Sequence, residues 1–384
     1  MGTVCREFAA FAEHRGLPFC CVRGGPETQV TRAGSMTTVE LKRGVTFSVD
    51  KEVRCDPFFA RHRYWAMEQI EAFRPDLIQI VGPSDIGVMG FWVSKHLGVP
   101  MVGSWHTNLH EHACRRIRKV LRATPPAVRD RAADTAQRLG LRALMVLYRR
   151  SHFLIAPNRT MVDFLRERTG RPTYLMKHGV DTARFSLRQK PADREFCIGW
   201  VGRLTPEKNV RAFAEIERRL LAAGERDFRL LLVGDGSERE WLRGHLQRAA
   251  FPGFLHGEEL DDAFARMDAF VFPSRTDTFG LVILEAMASG VPVVLSPEAG
   301  ACIGIRHGVE GFCSDDLAEG VLSLMRSRDL RQSMGAAAQR FTRAHTWDGV
   351  FEDLYETYDT AFQNPEVRCY QRVGSRPRPA PAPQ

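Results

Sequence analysis

Two carboxylates and two cations in the second half of the chain have the types and spacing to bind phosphates and sugar hydroxyls. Asp277 and Glu285 stand with seven residues between them in the stretch VFPSRTDTFGLVILEAMASGVPVVLS, residues 271–296. The apolar run at 268–272 reads as a buried parallel strand, 279–288 as an apolar-faced helix stopped by Gly290, and 291–295 as a second buried strand. The loop of such a βαβ unit lies at a strand carboxyl end and a helix amino end, where open α/β sheets bind ligands. Free amides of Phe279, Gly280 and Leu281 would form a positive end suited to a phosphate or a sugar oxygen. An ionised carboxylate accepts hydrogen bonds and donates none, which suits Glu285 to the vicinal diol of a ribose. The competing reading makes Asp277 a helix cap and Glu285 a solvated helix residue.

The cations come from GRLTPEK at 202–208, which joins a strand to a helix. Gly202 would let backbone approach a ligand, while Arg203 and Lys208 place two positive charges at a strand end. Arg as a planar fork and Lys as a point charge suit a diphosphate. The segment is neither a Walker loop, since the chain has no Gly-Lys pair, nor a GxGxxG fingerprint. VGDG at 233–236 is a third turn of the same kind, so three strand-to-helix turns (202–208, 234–236, 274–280) are expected to open along one end of one sheet. In the first half, His106 closes a strand ending Gly103-Ser104-Trp105 and offers a hydrogen-bonding group. His106, His110 and Cys114, with His112 nearby, have spacing reminiscent of a helical zinc site. That set spans a strand end and a helix start, so the expectation is no metal.

Composition narrows the class. A 384-residue chain with 44% hydrophobic and 26% charged residues has room for two domains with substantial cores. Nine cysteines without a CxxC pair favour reduced thiols in a cytosol. No apolar stretch nears the ~20 residues of a membrane-spanning helix. The net charge of +8 is unevenly spread: residues 1–187 hold 29 Lys and Arg against 17 Asp and Glu, and the rest hold 25 against 29. Residues 115–150 alone carry eleven cations against Asp130 and Asp134. A basic, partly amphipathic helical region of this kind fits a bilayer rich in anionic lipid, an anionic acceptor or nucleic acid. Nucleic acid is not expected as a partner, because no recognised motif and no aromatic interleaving accompany the charge.

Strand and helix patterns alternate through both halves. In the first, helix 3–15, strand 17–22, weak strands 37–41 and 45–49, helix 57–73, strand 77–81, helix 85–97 and strand 99–105 lead to a long basic helical region, 109–150. Strand 152–156, helix 158–168 and strand 173–177 follow. The second half starts with strand 196–201 and continues through helix 207–222, strand 228–233, helix 237–249, strand 254–256 and helix 259–267. This predicts an α/β protein of two Rossmann-like, doubly wound domains facing across a cleft. Their expected bounds are 1–187 and 188–350, then a C-terminal helix at 351–372 and a disordered proline-rich tail at 373–384.

GRLTPEKN, VGDGSEREWL, HGVDTARF and PSRTDTFGLVILEAMASGVPVV together resemble the retaining GT-B glycosyltransferases of family 4, over nearly the whole chain and most specifically in 196–312. Asp277 occupies a position where Glu is commoner, and His178 one where Asn is frequent. The resemblance implies transfer of a hexose from a nucleotide-diphosphate sugar to a hydroxyl acceptor, with retention, no metal and no cofactor. Arg203 and Lys208 would hold the diphosphate and Glu285 the ribose. Asp277, Phe279 and Gly280 would line the donor-sugar site, and His106 would reach that sugar from the acceptor side. Combined with the basic first half, this points to a lipid acceptor, such as a glycolipid, and a cytoplasmic protein peripheral on the inner face of the membrane. Family members open with a strand and a glycine-rich loop, whereas this sequence begins at the following helix. A start codon set too far downstream is the favoured explanation. The alternative is a truncated, non-catalytic relative acting as a binding or scaffold protein.

Overall fold

The computed structural model describes residues 2–44, 47–48, 54–56, 58–82, 84–105, 124–185, 195–365 and 367. The chain forms two compact units, one running to Met176 and resuming at Phe351, the other spanning Lys177–Val350.

The second unit is built on a six-stranded, all-parallel sheet. Its spatial order is Ala249–Gly253, Phe228–Val233, Phe196–Val201, Ala269–Phe272, Val293–Leu295, Gly311–Cys313. Counted along the chain this is 3-2-1-4-5-6, the doubly wound arrangement. Three of the four inner strands read FCIGWV, AFVF and VVL, continuous apolar runs rather than alternating ones, because helices cover both faces. Trp200 stacks on Phe272 with ring centroids 5.2 Å apart, and Phe213, Phe264 and Phe270 are fully buried around them. Each such side chain contributes about 1.5–3 kcal/mol by leaving water.

Two strands depart from the sequence pattern. The third strand of this unit lies at Ala249–Gly253 rather than 254–256, and it contains Pro252. Proline is tolerated because this strand is at the sheet edge and need donate to no neighbour on its outer side. The strand Gly311–Cys313 has no counterpart in the sequence pattern; three residues on the opposite edge are too short a run to be recognised.

In the first unit, Ile78–Val81, Met101–Ser104, Phe153–Ala156 and Thr173–Leu175 form a parallel sheet in chain order. A separate three-stranded sheet has Met36–Lys42 at its centre, parallel to Phe19–Gly25 and antiparallel to Gln29–Ala33. The Gln29–Ala33 hairpin arm was not anticipated, because five mostly exposed residues show no apolar face. The unit is sealed by the helix Trp347–Gln363, whose Phe351 stacks on Phe8 at 4.7 Å and whose Phe362 lies 5.8 Å from Phe153. That packing is why residues from Phe351 onward belong with the first unit. Conversely, residues 177–185 belong with the second: Val180 donates to the carbonyl of His345 (2.9 Å), and Phe185 packs edge-on to Phe264.

The turns at the carboxyl end of the second sheet are backbone-packed. Gly202 donates to Val233 O (2.9 Å), and Leu204 N donates to Asp235 O (2.9 Å). A Cβ on Gly234 would sit 1.9 Å from Gly202 O, and its φ of +129° suits only glycine. Gly234→Ala should therefore cost about 2–4 kcal/mol of folding free energy, measured by urea denaturation of the second unit's signal. A loss below about 0.5 kcal/mol would show that the turns do not need this contact.

Candidate active site

The strands Phe196–Val201 and Ala269–Phe272 are neighbours in the sheet, yet the chain leaves them toward opposite sides: the first continues to Phe228–Val233, the second to Val293–Leu295. This is the switch point where doubly wound sheets open a crevice. The turns 202–208 and 273–280 follow those two strands. They are laced together: Asn209 Nδ2 donates to Pro273 O (3.3 Å), and the hydroxyls of Ser274 and Thr276 both donate to Glu207 O (3.4 Å each). The consequence is that Lys208 forms a hydrogen-bonded ion pair with Asp277 Oδ1, both side chains less than a fifth exposed. Asp277 Oδ2 is buried without a hydrogen-bond partner. Arg203 lies on the same turn, part-exposed, 3.9 Å from Glu207. The amide of Gly202 is engaged by Val233, so this residue serves the close packing of the turns rather than offering a free donor.

The helix expected at 279–288 spans Leu281–Ala288. Gly280, at φ +77°, precedes it in the left-handed region, and no side chain caps it, so Asp277 is not the helix cap. The amides of the first turn, at Leu281 and Val282, lack intrahelical partners by construction and carry the positive end of the helix dipole. Phe279 turns its ring into the core, 4.5 Å from the ring of His178, and is itself buried.

Glu285 sits one turn into the same helix, part-exposed but crowded by protein. Burial is the main cause that lifts its carboxyl from 4.5 to about 7; nearby Arg184 opposes the rise and Asp261 adds to it. Arg184 is held by Asp261, with Nε 2.9 Å from Oδ1 and 3.2 Å from Oδ2, and by Gly257 O at 3.2 Å. Arg184 and Asp261 escaped the sequence reading because they lie 77 positions apart, so nothing in the chain order pairs them. Cys302 is also new to the site, its thiol donating to Asp277 O at 3.5 Å. His106, with His110, His112 and Cys114, lies outside the described residues.

The model of Glycosyltransferase Family 4 matches residues 1–184, and that of Glycosyl transferases group 1 matches 195–327. A GDP-mannose-dependent alpha-mannosyltransferase of Mycolicibacterium smegmatis is 32% identical over 317 residues, covering 78% of this chain and 77% of the relative. Its counterpart in Corynebacterium glutamicum is 29% identical over 308 residues, covering 75% and 68%. The chain is a group 1 glycosyltransferase of the GT-B fold. The glycosyltransferase superposes on sucrose-phosphate synthase from Thermosynechococcus elongatus with a TM-score of 0.68 at 19% identity, over 94% of this chain and 92% of that one. Anabaena HepE in complex with UDP and glucose gives 0.65 at 18% identity, over 94% and 96%.

The glycosyltransferase should carry the Glu285 shift into its stability. A raised carboxyl favours the protonated form in the fold, so its contribution is complete below 4.5 and is lost as pH rises through about 7. The stability advantage of the native chain over Glu285→Gln should therefore shrink between those two values, measured by urea denaturation across pH. A flat difference would mean that Glu285 is as well solvated folded as unfolded.

Proposed function

We propose that this glycosyltransferase moves a hexose from a nucleotide-diphosphate sugar to a hydroxyl acceptor, with retention at the anomeric carbon and without a metal ion. The observation that carries the reading is the switch-point cluster. Lys208, Arg203 and the first-turn amides at Leu281 and Val282 supply positive potential beside Asp277, and Glu285 follows one turn along the same helix. Ionised Glu285 accepts from both ribose hydroxyls, and the cations take the diphosphate. Asp277 and the Gly280 backbone line the place of the hexose.

In the transfer, the bond between the anomeric carbon and the diphosphate oxygen breaks as the acceptor oxygen bonds to the same face of that carbon. The acceptor's proton passes to the departing diphosphate oxygen, so no separate strong base is needed. The negative charge that grows on the diphosphate is met by Lys208, Arg203 and the helix dipole, which is the work a divalent cation does elsewhere. His106 is assigned the acceptor side of the sugar. The relatives' dependence on GDP-mannose makes it the first donor to try.

Transfer from GDP-mannose to a glycolipid extract should proceed in EDTA and give the α-anomer by proton NMR. Lys208→Ala and Arg203→Ala should each lower kcat/KM by about 10²–10³. An inverted product, or full activity in either variant, removes the mechanism.

The acceptor is proposed to lie at an anionic membrane surface. The helix Pro126–Tyr148 packs Ala133, Met145 and Tyr148 inward. Its outer face sets Val128, Leu139 and Val146, each more than half exposed, among exposed Arg131, Arg138 and Arg142. Arginines and apolar side chains on one exposed face suit an interfacial helix, with about 1 kcal/mol per arginine near anionic lipid. Among the described residues no helix is long and apolar enough to cross a membrane. The chain should float with phosphatidylglycerol-containing vesicles and not with pure phosphatidylcholine, and combined Arg131→Glu, Arg138→Glu and Arg142→Glu should abolish the difference. Equal flotation with both vesicles would dismiss this face.

A further inference from the structure

We propose that Asp277 makes the site discriminate between an intact nucleotide sugar and a bare diphosphate, by serving as an internal counter-ion that diphosphate must displace from Lys208. The proposal rests on the assignment of Lys208 to the diphosphate. Among the described residues, Asp277 is the carboxylate that holds the Lys208 ammonium. Neither partner is free to swing away. The Lys208 turn and the Asp277 loop are tied by the Asn209 amide and by the two hydroxyls on Glu207 O, and Cys302 fixes the backbone of Asp277 itself. The pair is therefore preset, on two loops that cannot separate without losing three hydrogen bonds.

The two carboxylate oxygens differ. Oδ1 is occupied by the ammonium, whereas Oδ2 is buried and unpartnered. A buried acceptor without a donor is costly, and a buried carboxylate deprived of its cation is costlier still. A bare diphosphate that takes Lys208 inflicts that second cost, because it brings no donor for Asp277. A diphosphate bearing a hexose takes the same cation but delivers sugar hydroxyls to the same carboxylate. The two ligands thus share their attraction to Lys208 and differ in what they leave behind at Asp277. One outcome is weak binding of the sugar-less product, which speeds its departure after transfer. Asparagine at 277 would keep the shape, remove the charge and free Lys208.

Isothermal titration of the full chain with inorganic pyrophosphate, GDP and GDP-mannose tests this. Asp277→Asn and Asp277→Ala, each checked for an unchanged melting temperature, should bind pyrophosphate and GDP about tenfold more tightly than the native chain, while GDP-mannose gains nothing. Lys208→Ala should weaken all three. Unchanged or weaker pyrophosphate binding in both folded Asp277 variants, with Lys208→Ala still weakening it, overturns the counter-ion role and leaves the diphosphate assignment standing. Pyrophosphate binding indifferent to Lys208→Ala removes the diphosphate assignment, and this proposal with it.

Discussion

Lys208 and Asp277 are separated by 69 positions, yet their side chains form a largely buried ion pair. What brings them together is the sheet. Two adjacent parallel strands send their chains to opposite sides, and the turns at their carboxyl ends remain side by side. Backbone contact between Gly202 and Gly234 then leaves no slack in the neighbouring turn, and side chains from 274, 276 and 209 stitch the loop at 273–277 to it. A charged pair held this way is preorganised: its partners are already oriented and partly dehydrated.

The two carboxylates of the switch point differ in state because their surroundings differ. Asp277 is on a loop and is matched by a lysine, so its charge is neutralised locally and one oxygen remains to accept. Glu285 is inside a helix, crowded by protein, and the Arg184 that acts on it is already committed to Asp261. Desolvation is therefore the larger influence on it, and its ionisation falls in the neutral range rather than the acidic one. Asp277 is paired with a cation, whereas Glu285 is short of water.

The core of the first unit decides what its surface presents. Its four-stranded parallel sheet is packed by Trp105, Tyr148 and Phe153, and Tyr148 donates to Ser104 O at 3.0 Å. That anchoring fixes the carboxyl end of the helix Pro126–Tyr148 and so decides which of its residues face outward. The outward set combines arginines with isolated valine and leucine side chains, a mixture that neither a core nor a plain solvated face requires.

By itself the sequence determined the class of fold, the second sheet's inner strands, and the three turns at its carboxyl end. Unbroken apolar runs of four to six residues, punctuated by glycine, leave few other arrangements for those segments. It also determined the residue types of the site, since Arg203, Lys208, Asp277 and Glu285 are cations and carboxylates wherever they lie. Only the tertiary structure decided their partners. The Lys208–Asp277 pair, the Arg184–Asp261 clamp near Glu285 and the displacement of the third strand to a proline-bearing edge are all long-range outcomes. Local propensity and periodicity report on neighbours three or four positions away. Charge pairing and desolvation depend on which strands end up adjacent, and that is set by the packing of the whole sheet.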